Sequence, residues 1–292
     1  MAPLGQAAGL ALLIALSGSA VGAAPATATA MPVQTQSQAQ TQSQTQTQAP
    51  TAEGPAGSSL GAQTGMTLQL QEDLAQLGYL PVGWNGQAFT FPVARMPASL
   101  RSLFRPGVYT VLLRGAELSY EATRGLPASL GASLLLAALQ QDVRAGRLAP
   151  QAYTWVYVDE TVPERLTVWS AKGVLASVPA NTGVAGAPTP LGTFPVYLRL
   201  PYQVMRGRDL GGSAYTDPVY YISYFHGGDA VHGFSRASYG FPQSLGCVEV
   251  PPWDAAAIYS EIQIGTLVTV GKGTLAYVAT PAPLPAADAE QR

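Results

Sequence analysis

The sequence predicts an α+β protein in which a small helical region precedes a mainly β domain. Two patterns carry the helical part. Leu70, Leu74 and Leu77 recur at helical spacing and stop at Gly78, and Leu130, Leu134, Leu135, Ala138 and Leu139 line one broad face of a second run, 129–144. From residue 153 the pattern changes to short β-favouring runs at 153–158, 165–169, 174–178, 194–200, 219–225 and 267–270. Their spacing suits a sandwich or a barrel-like domain, with a hairpin turn at Lys172-Gly173.

The elements follow in chain order. Residues 9–16 are a short apolar run followed by small residues at Val21-Gly22-Ala23, which reads as a secretory signal ending near residue 24. An uncleaved anchor is the alternative, and either delivers the chain outside the cytoplasm. Residues 25–64 are rich in Gln, Thr, Ala and Pro, with little apolar surface to bury, and are expected to form a disordered tether. The helical region spans 65–150, and its stretch 83–114, rich in aromatic residues, Pro and Gly, carries no clear period. The β domain spans 151–272. Its helix is expected over 252–262, with Pro252 in the first turn and Gly265 beyond the end, and 273–292 reads as a loose Ala/Pro-rich tail.

Composition narrows the function. Charged residues make up 11% of the 292, the net charge is -2, and lysine occurs only at Lys172 and Lys272. No basic surface is available for a phosphate backbone, so nucleic acid is not expected as a partner. The chain holds one cysteine and two histidines, and Cys247 and His232 fall in one short stretch with Gly246 and Ser244 just before the thiol. A lone thiol in an oxidising compartment has no intramolecular disulfide partner and is a candidate nucleophile. An imidazole that meets it can take its proton, and a small residue beside it lets a carbonyl approach backbone donors. His226 and His232, with Asp229 between them, offer another reading, a zinc site that would require Asp229 or Cys247 as its third ligand.

His232-Gly233 followed by Ser244-Leu245-Gly246-Cys247 resembles the signature of the L,D-transpeptidase family of cell-wall enzymes, the YkuD-type domain. Thr189-Pro190-Leu191-Gly192-Thr193-Phe194 is similar to a second family segment upstream. Leu245 and Glu249 depart from it where many members carry a polar residue and an arginine. The resemblance covers roughly 153–271 and implies a β-sandwich with one helix after the Cys loop. It implies Cys247 as nucleophile, His232 as base oriented by backbone carbonyls, and Ser244 and Gly246 as support for the nucleophile and oxyanion. Arg236, Tyr239, Gln243 and His226 are the candidates to contact substrate.

The implied partner is the peptidoglycan stem peptide, attacked without cofactor or metal by a monomer at the cell wall. Carbapenems are implied to acylate Cys247. The alternatives are an L,D-carboxypeptidase of the same fold and a non-catalytic wall-binding module. Residues 68–81 also resemble the opening of peptidoglycan-binding helical modules. Within strand 219–225, Tyr220 and Tyr224 are expected to share one face and Tyr221 the other.

Overall fold

The computed structural model describes residues 59–61, 63–91, 95–128, 130–279 and 284–285, all within one compact unit that spans Gln46–Arg292. The expected signal and most of the tether lie outside the described residues. The end of the tether is bound: the Gly61 N–H donates to the Tyr109 carbonyl at 2.8 Å, and Gln63 bridges to Val108.

The helical region comprises α1 (Gly65–Leu77), β1 (Gly83–Trp84), β2 (Ala88–Thr90), β3 (Arg95–Pro97), α2 (Ala98–Ser102), α3 (Val111–Arg124) and α4 (Ala132–Ala145). The Thr64 hydroxyl caps α1 by accepting the Thr67 N–H at 3.0 Å, and Gly78 ends it in the left-handed region. Helix α3 was not legible in the sequence. It buries Arg114, Glu117 and Glu121 among its apolar residues.

The β domain comprises β4 (Thr154–Asp159), β5 (Arg165–Ser170), β6 (Gly173–Pro179), β7 (Gly192–Pro195), β8 (Leu198–Arg208), β9 (Ala214–His226), β10 (Asp229–Gly233), β11 (Val248–Val250), α5 (Pro252–Glu261) and β12 (Leu267–Gly271). The expected run at 194–200 is two strands, β7 and β8, which belong to different sheets. One sheet has the order β6-β5-β4-β12-β7 and the other β11-β10-β9-β8.

Alternation along β4 explains its unbroken apolar sequence. Trp155 and Tyr157 enter the core of the helical region, while Val156 and Val158 enter the core that the two sheets share. A sheet covered on both faces needs apolar residues at every position. The helical region and the β domain therefore share Trp155, Trp169 and Leu267 in one core rather than forming independent modules.

The expected loose tail is corrected at two places. Residues Tyr277–Ala279 (β13) pair with β3, and Leu284–Pro285 (β14) pair with β2, so the backbone returns to the helical region. Sequence missed this because runs of three and two residues inside an Ala/Pro-rich stretch are too short to show a period, even where Tyr277 and Val278 favour a strand.

Two local features position the functional face. Strands β10 and β11 run parallel, with Val231 beside Val248 and His232 beside Glu249. Parallel neighbours need a long return connection. That connection is loop 234–247, and it brings Cys247, at the start of β11, back to the level of Ala230 near the start of β10.

The second feature is a bulge in β9. Tyr221 has φ 59°, and Val219 and Ile222, three apart, enter the same small core with Ala230. The extra residue overturns the expected alternation. Tyr220 and Tyr221 both line one recess, while Tyr224 packs with the Ala230 cluster.

Candidate active site

Val231, Val248 and Val250 face the core between the sheets. Strand alternation therefore turns Ala230, His232, Cys247 and Glu249 to the opposite face. Cys247 and Ala230 indeed meet in the separate small core on that side.

The Cys247 side chain is only partly enclosed. Its sulfur lies 4.0 Å from the Gly228 carbonyl. Burial pushes the thiol up to about 12; the Ala230 backbone N–H draws it down, while Asp229 and Glu249 add to the rise.

His232 is buried, and its Nδ1 lies 3.3 Å from the Gly233 carbonyl. A carbonyl can only accept, so this contact puts the proton on Nδ1 and leaves the Nε2 lone pair available. Burial holds the imidazole below the ordinary histidine range; the Gly233 carbonyl and Glu249 oppose this, and Arg236 reinforces it. Burial therefore disfavours the charged form of both groups, the thiolate and the imidazolium.

The turn before Cys247 is tied on both sides. The Ser244 hydroxyl donates to the Cys247 carbonyl at 2.5 Å and accepts from the Gly246 N–H at 3.2 Å. Ser244 thus closes the turn rather than facing the sulfur. The Gly246 amide is committed to Ser244. Gly246 itself has φ 117°, and a Cβ there would lie 2.3 Å from Asp229 Oδ1, so no larger residue fits.

Residues that the sequence reasoning passed over hold this turn. The Thr189 hydroxyl donates to the Gly246 carbonyl at 2.8 Å and accepts the Gly183 N–H at 2.9 Å. That gives the Thr189-Pro190 segment a physical reason to accompany the Cys motif. Asn181 exchanges backbone hydrogen bonds with Glu249, both 2.9 Å, and the Thr182 carbonyl accepts the amides of Gln243 and Ser244. Thr182 is in turn anchored on the buried Glu164 carboxylate, which accepts its N–H and its hydroxyl, each at 2.7 Å. A polar residue distant in sequence gives no local signal of such a role.

Three expected substrate contacts are spent inside the loop. Arg236 is bound to Glu249 in a two-pronged ion pair, Nε to Oε2 at 2.8 Å and Nη2 to Oε1 at 2.7 Å. Tyr239 donates its hydroxyl to the Phe234 carbonyl at 2.7 Å and accepts the Arg236 N–H at 3.1 Å. Gln243 donates to the Ser238 carbonyl at 2.9 Å.

His226 is different. It is exposed at the end of β9, pairs through Nδ1 with Asp229 Oδ2 at 3.3 Å, and has the Phe194 ring 4.7 Å away. Burial raises Asp229 and His226 lowers it. Among the described residues, no three His, Cys, Asp or Glu side chains form a group that could hold a metal ion. Three phenols, Tyr197, Tyr215 and Tyr224, are raised chiefly by burial and lie near enough to the sulfur that an ionised Cys247 adds to the rise in each.

This arrangement lies wholly within one family match. Residues 153–270 match the YkuD model, the L,D-transpeptidase catalytic domain. The YkuD match spans less than half of the chain, and the helical region lies outside it. Similar solved structures include an L,D-transpeptidase from Mycobacterium smegmatis, 29% identical over 40% of this chain and 59% of that one, with TM-score 0.37. The catalytic domain of the E. faecium L,D-transpeptidase is 23% identical over 42% of this chain and 99% of that one, with TM-score 0.37. L,D-transpeptidase 3 from Mycobacterium tuberculosis, in complex with a faropenem-derived adduct, is 21% identical over 44% and 65%, with TM-score 0.38. The chain spans about three fifths of the Mycobacterium smegmatis protein. No curated protein matched.

Proposed function

We propose that the chain is a peptidoglycan L,D-transpeptidase working outside the cytoplasm, with Cys247 as nucleophile and His232 as base. The observation that carries this reading is the placement of Cys247 and His232 on one face of the β10/β11 pair, inside the segment that matches the YkuD model. As substrate binds, His232 Nε2 takes the thiol proton and the sulfur attacks the carbonyl that precedes the terminal D-residue of a stem tetrapeptide.

The C–N bond then breaks. The leaving amine takes the proton from the imidazolium, and a thioester remains on Cys247. An amine of a neighbouring stem attacks that thioester, gives its proton to His232 and releases the sulfur. We assign the oxyanion to the Cys247 N–H, because the Gly246 amide is already bound to Ser244. Ser244, Gly246 and Thr189 keep that amide in place, and Asp229 with His226 flanks the sulfur on the donor side. Among the described residues no helix is long and apolar enough to cross a membrane. Export through the apolar leader at 9–16 is part of the same proposal.

Two mass-spectrometric experiments test it. Carbapenem treatment should add one adduct that maps to Cys247 and is lost in Cys247→Ala. Purified muropeptides incubated with the protein should yield dimers joined between two diamino-acid residues. Trimmed tripeptides alone would make the enzyme a carboxypeptidase, and no adduct with no product would overturn the acyl-transfer reading.

A further inference from the structure

The bulge in β9 does something the catalytic turn does not require. A non-glycine residue at φ 59° is strained, and strain of this kind persists where the surroundings enforce it. Its effect is to turn the adjacent phenols of Tyr220 and Tyr221 into one recess of about 420 Å³, which lies where β10 ends and β9 continues paired with β8 alone. Phe234, Pro252, Ser235 and Asp217 are among the other residues that line it.

The aromatic surface continues beyond the recess. Tyr202, Tyr220 and Tyr221 are 48%, 52% and 36% exposed, and their successive ring centroids lie 5.0 and 6.5 Å apart. Tyr259 of α5 follows at 5.7 Å from Tyr221. Aromatic rings left in water at such density mark a binding surface.

From this we infer that the recess and its tyrosine row form an exosite for the glycan strand of the cell wall, a neutral chain of N-acetylated pyranoses. The inference rests on the acyl-transfer reading only for the identity of the polymer. The chemistry of the wall of the recess selects the ligand. A pyranose offers an apolar C–H face to a ring and a rim of hydroxyls to phenols, a serine and a carboxylate. Asp217 is the single carboxylate in the lining, and no Lys or Arg lines the recess itself. Arg236, which stacks on Phe234 near Asp217, is held by the Glu249 carboxylate, and Arg199, which stacks on Tyr259, donates to Gln263 and the Tyr259 carbonyl. The recess thus offers phosphates and anionic lipid headgroups no lining cation.

Continuity with the candidate active site supports the same occupant. Phe234 lines the recess, and its ring stands edge-on to His232 with centroids 6.0 Å apart. A strand seated on the tyrosines would hold its attached peptides beside the catalytic face. Binding a non-reacting part of the substrate in this way raises the local supply of the reacting part.

Titration calorimetry on the full chain carrying Cys247→Ala, with a peptide-free N-acetylglucosamine tetramer as ligand, tests the exosite apart from the chemistry. Saturable binding is expected, weakened at least tenfold by Tyr220→Ala and by Tyr221→Gly. The glycine variant suits the backbone at φ 59° and so removes the ring without straining the fold. In the active protein, Tyr220→Ala should leave carbapenem acylation and turnover of soluble stem peptides unchanged, while cross-linking of polymeric wall falls at least fivefold. No saturable binding, equal affinity in the variants, or displacement of the sugar by tetramethylammonium would overturn the exosite. Tetramer binding without any Cys247 adduct would sink the acyl-transfer reading and leave the exosite standing; an adduct without tetramer binding would do the reverse.

Discussion

Arg236 grips the Glu249 carboxylate with both arms of its guanidinium, at 2.7 and 2.8 Å, and Glu249 stands beside His232 across the β10/β11 register. The pair ties the start of the loop that carries Cys247 to the strand that follows it. Both ends of the Cys247 loop are thereby closed on each other. An arginine resembling a free carboxylate clamp in sequence is a structural brace in the fold.

The first prediction follows from that brace. Glu249→Ala should cost about 2 kcal/mol in denaturant unfolding, the scale of lost hydrogen bonds to a charged group left without its partner. It should also slow carbapenem acylation, because the loop loses its tie. Arg236→Glu combined with Glu249→Arg should recover most of both losses, and a double variant no better than the worse single one would show that the pair does not act as a unit.

A second prediction concerns the pH dependence of acylation. His232 titrates below the ordinary histidine range because it is buried, while burial lifts the thiol to about 12. The acylation rate should be flat through neutrality and fall only at a pH below the ordinary histidine range, as His232 takes a proton. His232→Ala should retain the fold yet slow acylation by about a hundredfold, the scale of a lost general base. Parental rates in His232→Ala across neutral pH would remove this residue from the mechanism.

Stability should respond to a different site. Glu117 and Glu121 lie in α3 beside Arg114, and burial raises each carboxyl to about 7, with Arg114 opposing the rise in both. Their folded values exceed the 4.5 of the free group, so between pH 4.5 and 7 the folded state holds protons that the unfolded state has released. These residues therefore contribute less stability as pH rises through that window. The melting temperature of Glu121→Gln should fall less steeply than that of the parent between pH 5 and 8. Parallel curves would contradict the linkage.

The turn before the thiol gives a fourth. Gly246→Ala would place a methyl group 2.3 Å from Asp229 Oδ1 at a backbone angle that disfavours side chains. Carbapenem adduct formation should be lost or fall by more than a hundredfold, with the near-ultraviolet circular dichroism of the aromatic core retained. Acylation at the parental rate would show that the turn has more freedom than its geometry allows.

By itself the sequence determined the class of the fold and singled out the residues on which the proposed chemistry rests. Local periodicity exposed α1, α4, α5 and most strands, because each depends on spacing that neighbouring residues display. The sole cysteine, after Ser244-Leu245-Gly246 and downstream of His232, was legible because those residue types are rare in this chain.

Tertiary structure alone decided which polar residues hold the Cys247 turn and which candidates are already occupied. Thr189, Asn181, Thr182 and Glu164 reach the Cys247 turn through hydrogen bonds between segments far apart in sequence, which no local pattern encodes. Arg236, Tyr239 and Gln243 lost their expected openness for the same reason, since their partners are chosen by the path of the loop. The bulge at Tyr221 decided the faces of the tyrosines. One inserted residue reverses the alternation beyond it, and only pairing with β10 reveals where that insertion falls.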